Sequence, residues 1–337
     1  MNLLRKLLFP FAIVYGWVTT MRNYFYDKGW FKSATYRMPI VCVGNLSVGG
    51  TGKSPMVELL LSIFKEDYNI ATLSRGYKRK TTGFLEVKPT HIATEVGDEP
   101  LQIKQKFPDI IVAVCEDRRT GIEMLQKKAK VILLDDAFQH RKVSPSFNIL
   151  LTPFHNLFYE DFLLPTGNLR ESRKGADRAD IIVVTKVPER TPYAKLQEIK
   201  FLLKPKSHQK VYFSSIAYSN EIIGHAENMP LDYLKGKYFT LVTGIANPKP
   251  LVDFLTEHSL KFEHIKYRDH HNFSETEIQK LKEKELLLTT EKDFMRLNDS
   301  LQKYALYYLP IKTKILNEQL PFFEESIKTA IEANLFR

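Results

Sequence analysis

The chain has 337 residues, 44% hydrophobic and 26% charged, with 49 Lys plus Arg against 39 Asp plus Glu and a formal net charge of +10. That length and balance exclude a disordered or fibrous chain and suit about two globular units, each able to bury a core. The positive excess favours an anionic partner, whether nucleic acid, a phospholipid surface or a phosphorylated small molecule.

The N-terminal segment, about residues 1–32, opens with Arg5 and Lys6 before an apolar run, 7–18, that Pro10 and Gly16 interrupt. A dozen residues fall short of the ~20 that span a bilayer. No small-residue cleavage site follows, which disfavours a removed signal peptide. Aromatic residues from Phe9 to Phe31, interleaved with Arg22, Lys28 and Lys32, suit a segment lying at a membrane interface. A helix packed on the protein's own core is the competing reading.

Next, the β-branched run Val41-Cys42-Val43 leads into Gly44-Asn45-Leu46-Ser47-Val48-Gly49-Gly50-Thr51-Gly52-Lys53-Ser54-Pro55, followed by an apolar periodic segment, 56–64. Strand, glycine-rich loop and helix in that order read as a P-loop. Backbone N–H groups of Ser47 to Gly52 close around phosphates, Lys53 reaches the terminal ones, and the Ser54 hydroxyl can ligate Mg²⁺. The usual spacing has Gly where this chain has Ser47, and Gly50 adds freedom inside the loop. Pro55 is compatible with a first helical turn, whose N–H groups have no intrahelical partner. A glycine-rich turn that binds nothing is the alternative.

Residues 68–73 read as a second strand, followed by the basic loop Ser74-Arg75-Gly76-Tyr77-Lys78-Arg79-Lys80. In Val96-Gly97-Asp98-Glu99-Pro100 two readings stand. Local spacing favours acids that cap a helix; the functional reading is a general base and a metal ligand. Residues 109–115 form the continuous apolar strand that a parallel sheet covered on both faces requires. Cys115 there, like Cys42, reads as a buried free thiol in a reducing compartment. Arg118 and Arg119 then stand where strand ends open onto a ligand crevice.

Residues 131–134 end in Asp135-Asp136, the Walker B pattern, whose carboxylate can hold Mg²⁺ beside a P-loop. Strands at 147–152 and 180–186 flank a long loop, 163–175, with Arg170, Arg173 and Lys174. Thr185-Lys186-Val187-Pro188 lies where Asn-Lys-x-Asp would read guanine and lacks both the Asn and the Asp, which argues against guanine specificity.

An extended stretch, 209–230, reads as the connection between a first domain, 1–208, and a smaller α/β domain, 231–337. The expected fold class is α/β: a P-loop NTPase-like, mostly parallel sheet domain with a second, smaller α/β domain. A capping box at Ser274-Glu275-Thr276-Glu277 opens one helix of the second domain. Asp269-His270-His271 leaves a choice. Adjacent residues on a strand face opposite ways and would not chelate zinc together, so a carboxylate-oriented His aimed at substrate or a solvated strand end remain.

Together the P-loop segment, Ser74-Arg75-Gly76-Tyr77, Val96-Gly97-Asp98-Glu99-Pro100, Asp135-Asp136-Ala137-Phe138-Gln139-His140, Gly244-Ile245-Ala246-Asn247-Pro248, Asp269-His270-His271 and Thr290-Glu291-Lys292-Asp293 resemble the motif set of the tetraacyldisaccharide 4′-kinases, the lipid A 4′-kinases of Gram-negative bacteria. The resemblance runs to about Asp293. Ser47 fits that family's loop, whereas Ala137 departs from its common Gly, which bears on the backbone beside Asp136.

The resemblance implies ATP- and Mg²⁺-dependent phosphorylation of the 4′-hydroxyl of a tetraacylated disaccharide 1-phosphate at the cytoplasmic face of the inner membrane. It turns Asp98 from a cap into the catalytic base, with His270 as its support and Lys53 on the phosphates. It makes Ser54, Glu99, Asp135 and Asp136 the metal-associated set. Arg170 and Arg119 are candidates for the substrate's 1-phosphate; no nucleic acid and no obligate protein partner are expected. The rival from another class is a membrane-recruited nucleotide switch without a small-molecule acceptor.

Overall fold

The computed structural model describes residues 5, 7–269 and 271–335, so His270 and part of the extreme N-terminus lie outside the described residues. The first series of elements is α1 (Phe9–Asp27), β1 (Ile40–Asn45), α2 (Lys53–Phe64), β2 (Ile70–Ser74), β3 (Leu85–Glu86), α3 (Asp98–Lys106), β4 (Ile111–Val114), α4 (Arg118–Leu125), β5 (Val131–Asp135), β6 (Phe147–Pro153), β7 (Ile181–Thr185), α5 (Tyr193–Leu203) and β8 (Lys210–Tyr218). The second is β9 (Glu221–Gly224), β10 (Asn228–Pro230), β11 (Tyr238–Thr243), α6 (Lys249–Glu257), β12 (Lys261–Lys266), α7 (Glu275–Lys282), β13 (Leu287–Thr289), α8 (Glu291–Leu301), β14 (Leu306–Tyr308), β15 (Ile311–Ile315) and α9 (Leu320–Leu335).

β1 is buried at every position, as a central strand covered on both faces must be. Its side chains alternate between two cores, following the two-residue period of a strand. Ile40 and Cys42 pack with Ile122 and Leu125 of α4 and Leu196 and Ile199 of α5. Val41 and Val43 face Met56, Leu60 and Phe64 of α2 and Phe323, Ile327 and Ile331 of α9.

The large sheet has nine strands in the order β15-β8-β7-β6-β1-β5-β2-β4-β3. From β8 to β4 every pairing is parallel; the antiparallel edges are β15 and β3. The small sheet has six strands, β10-β9-β14-β13-β11-β12. β1 lies between β5 and β6, where the strand order changes direction, and the crevice beyond the C-terminal ends of such strands is where open α/β sheets bind ligands. This is the P-loop NTPase-like α/β fold, with a smaller α/β unit beside it.

The two units divide differently in space than along the chain. Residues 210–218, expected at the start of a connection, form β8 and pair in parallel with β7. β15 and α9, expected in the smaller domain, return to the large sheet: β15 pairs with β8, and the four-residue spacing of Phe323, Ile327 and Ile331 lays one stripe of α9 over the core. The rhythm of elements along the chain carries no information about a late strand returning to an early sheet.

Candidate active site

The loop between β1 and α2 is held from several sides. Asn45 at the end of β1 donates through Nδ2 to the Ser47 carbonyl and the Thr51 hydroxyl, both at 2.8 Å. Across the loop, Thr185 Oγ1 donates to the Thr51 carbonyl at 2.7 Å and Lys186 Nζ to the Gly50 carbonyl at 2.6 Å. The guanine-reading position is thus used as a brace for the P-loop. Gly49 and Gly52 take φ of +103° and +91°, which side chains rarely tolerate. Gly52 caps α2, whose first N–H groups lack intrahelical acceptors and face an anion site by construction.

Lys53 Nζ lies 3.7 Å from Asp136 Oδ1, and Arg170 Nη2 donates to the same oxygen at 2.9 Å. Burial acts to raise the Asp136 carboxyl, but these two cations hold it below the usual range. Asp136 takes φ of +51°, tolerable for Asp; Ala137 does not, so the departure from glycine there costs no backbone strain. Asp135 is 2% exposed. Burial, then the charge of Glu99, pushes its carboxyl up to about 7. Glu99 is drawn the other way: burial opposes ionisation, yet the paired Lys292 and the charge of Lys53 keep it below the ordinary range.

Asp135 Oδ1 is buried without a hydrogen-bond partner. Such an acceptor beside Glu99 fits a Mg²⁺ ion, which takes one or two carboxylates, phosphates and water. Among the described residues no three acid, imidazole or thiolate side chains form a cage alone. The donor set therefore suits an ion arriving with a nucleotide.

The smaller unit completes the cluster. Asp98 opens α3 after Gly97, at φ +96°. It accepts a 3.0 Å bond from Arg296 Nε of α8 and a second contact from Arg296 Nη2. Lys292 of α8 pairs with Glu99. Lys106 of α3 joins Glu58 of α2, at 2.5 Å, to Glu291 of α8, at 3.4 Å. Thr290 caps α8, and buried Asp293 accepts from the Gly244 backbone N–H at 2.8 Å, so the two motifs of the smaller unit brace each other. Asp269 is exposed. His271 contacts Glu277 at 3.0 Å, within the capping box of α7.

Sequence reasoning placed Lys53, Ser54, Glu99, Asp135, Asp136 and Asp98, which the structure brings to one crevice. It did not assign Lys292, Arg296, Lys186, Gln139 or Glu171. Glu171 is buried and accepts from Gln139, Arg178 and Asn23 at 3.0, 2.9 and 2.6 Å; only its position among the cations of an otherwise polar loop signals it. Arg119 pairs with Asp117 at the surface, whereas its neighbour Arg118 is buried and donates to the Cys115 carbonyl at 2.8 Å.

Asn23 belongs to α1, which also reaches the site through Tyr15 Oη to the Arg170 carbonyl, 2.8 Å, and Arg22 to the Gln139 carbonyl, 2.7 Å. Only Ala12 and Gly16 of this helix are buried. Ile13, Val14 and Trp17, turned away from that buried pair, stand open, Trp17 at 67% exposure. Among the described residues no helix is long and apolar enough to cross a membrane.

Residues 4–332 match the family model of the tetraacyldisaccharide-1-P 4′-kinases. The chain belongs to this kinase family. The kinase is 48% identical to the tetraacyldisaccharide 4′-kinase of Flavobacterium johnsoniae over 99% of both chains, and 40% identical to that of Bacteroides thetaiotaomicron over 98% of this chain and 94% of the relative. Its fold is similar to that of LpxK from Aquifex aeolicus, solved in complex with ATP, with a TM-score of 0.79, 30% identity and coverage of 98% of the kinase and 100% of the solved chain.

Proposed function

We propose that this chain transfers the γ-phosphoryl group of ATP to the 4′-hydroxyl of a tetraacylated disaccharide 1-phosphate in lipid A synthesis. The bond from phosphorus to the β–γ bridging oxygen breaks and a bond to the sugar oxygen forms. Asp98 accepts the hydroxyl proton and ADP departs. Such transfer depends on positioning and charge neutralisation more than on covalent help. Lys53 and the N–H groups at the start of α2 grip the triphosphate. Ser54, Glu99, Asp135 and Asp136 would hold Mg²⁺, which when bound would neutralise phosphate charge. Arg296 orients the Asp98 carboxylate, and His270 supports it.

The observation that carries this reading is the adjacency of Asp98 to Glu99 at the head of α3, beside the P-loop lysine whose charge Glu99 feels, with both acids held by cations of α8. Base and triphosphate site are thereby neighbours on rigid elements. A lipid acceptor also gives the open face of α1 a purpose. We place that face in the headgroup region of the cytoplasmic leaflet of the inner membrane, where apolar and aromatic side chains bury and basic flanks meet anionic lipid. No nucleic acid or obligate protein partner enters the scheme.

Radiolabelled ATP with the acylated disaccharide 1-phosphate, against water as the only acceptor, tests it. Label should move into the lipid. Release of free phosphate alone would point to a nucleotide switch.

A further inference from the structure

Of the segment Thr290-Glu291-Lys292-Asp293, three residues hold the architecture together. Thr290 caps α8, Asp293 holds Gly244, and Glu291 shares Lys106 with Glu58. Lys292 is different. Its ammonium contacts Glu99 and also feels Asp135 and Asp98, so the smaller unit places it among the acids of the P-loop crevice. Glu99 does not depend on it alone, because it also feels the charge of Lys53. The backbone under Lys292 is fixed by the capped first turn of α8, so its reach into the crevice is set by its side chain alone.

We propose that Lys292 is a further catalytic residue, an ammonium that the smaller unit delivers to the outer phosphates of bound nucleotide during transfer. The inference rests on the phosphoryl-transfer reading above. In such a reaction charge spreads over the three equatorial oxygens of the group in flight, and cations from more than one direction stabilise it. Lys53 comes from the P-loop. Lys186 is near enough to feel both Lys53 and Lys292, but its own ammonium is bonded to the Gly50 carbonyl.

Lys292 arrives from the other unit, paired with a carboxylate of single charge that a triphosphate outbids electrostatically. It neither gives nor takes a proton in the transfer and acts through its charge alone, as its ion pair with Glu99 already shows it reaching the crevice.

The test compares wild type with Lys292→Met and Lys292→Arg, using turnover of the lipid acceptor and, independently, equilibrium affinity for ADP with and without aluminium fluoride, a mimic of the phosphoryl group in flight. Lys292→Met should lose at least ~100-fold in kcat, with the KM for ATP within about threefold. The affinity gained on adding aluminium fluoride should shrink at least ~10-fold, and Lys292→Arg should restore part of both. A kcat within about threefold of wild type, or an undiminished aluminium fluoride gain, would overturn the proposal and leave Lys292 as an ion pair between units.

Should the methionine variant fail to fold, amine labelling of wild type decides. Lys292 should be at least ~10-fold slower to acylate with ADP–aluminium fluoride bound than with ADP alone, and equal rates would overturn the idea. Wild type that moves no label into the lipid would instead sink the underlying reading, so the two failures are distinct.

Discussion

The P-loop and the first turn of α8 reach the same crevice by different physics. The loop is fixed within one unit by uncharged acceptors: Asn45, Thr185 and Lys186 reach its backbone or hydroxyl groups, and Gly49 and Gly52 supply conformations other residues resist. The α8 turn is rigid in itself but meets the large unit through charge, with Lys292 on Glu99, Arg296 on Asp98, and Lys106 between Glu58 and Glu291. Part-exposed ion pairs are weakened by salt and by competing charge, whereas a braced loop is not. The nucleotide half of the site is therefore built in, and the half that meets the base depends on two units staying in register.

Several variants sharpen or break that contrast. The largest effect belongs to Lys53→Ala, which removes the loop's own cation and should lower turnover on the order of 10⁴-fold with the melting temperature little changed. Asp98→Asn should cost about 10²–10⁴ in kcat while the KM for ATP moves only a few-fold, because the nucleotide is held elsewhere. An equal rise in that KM would return Asp98 to a capping role. Phe323→Ala should destabilise by about 3–5 kcal/mol in denaturant titration, since the ring is fully buried against the large sheet. A loss under about 1 kcal/mol would contradict the assignment of α9 to that core.

Replacing Phe11 and Trp17 together by Ser touches none of the polar ties of α1 to the site. It should weaken partition onto anionic vesicles at least ~10-fold, as expected for two exposed aromatic side chains that bury in lipid. Unchanged sedimentation with vesicles would refute the interface reading. The smallest effect concerns Glu291, whose carboxyl burial and the charge of Glu58 push up to about 7 from an ordinary value of 4.5. The folded form binds that proton more tightly, so its contribution to stability is complete below pH ~4.5 and is lost as pH rises through ~7. Glu291→Gln should flatten the decline in stability between those limits, by about 1–3 kcal/mol. An unaltered pH profile would show that Lys106 compensates fully.

The legible and illegible parts of this chain follow the same divide. Lys53, Ser54, Asp135 and Asp136 can be read from the sequence because strand-loop-helix and strand-end geometry places them locally. Asp98 and Glu99 are ambiguous on local grounds, since an acid at a helix start satisfies a cap equally well; the set of motifs decides their expected roles. Lys292 and Arg296 lie almost two hundred positions from the acids they meet, and nothing in their spacing announces the pairing. Residues 210–218 and α9 escape a reading along the chain for a related reason: apolar periodicity says that a face is buried, not which sheet buries it.

The most direct measurement is the position of the new phosphate on the acceptor. Wild-type protein, Mg·ATP and the tetraacylated disaccharide 1-phosphate should yield a lipid whose second phosphorus couples to H-4′ in a ³¹P–¹H correlation spectrum. A product phosphorylated at any other hydroxyl, or inorganic phosphate as the sole phosphorus species formed, would contradict transfer to the 4′ oxygen at this site.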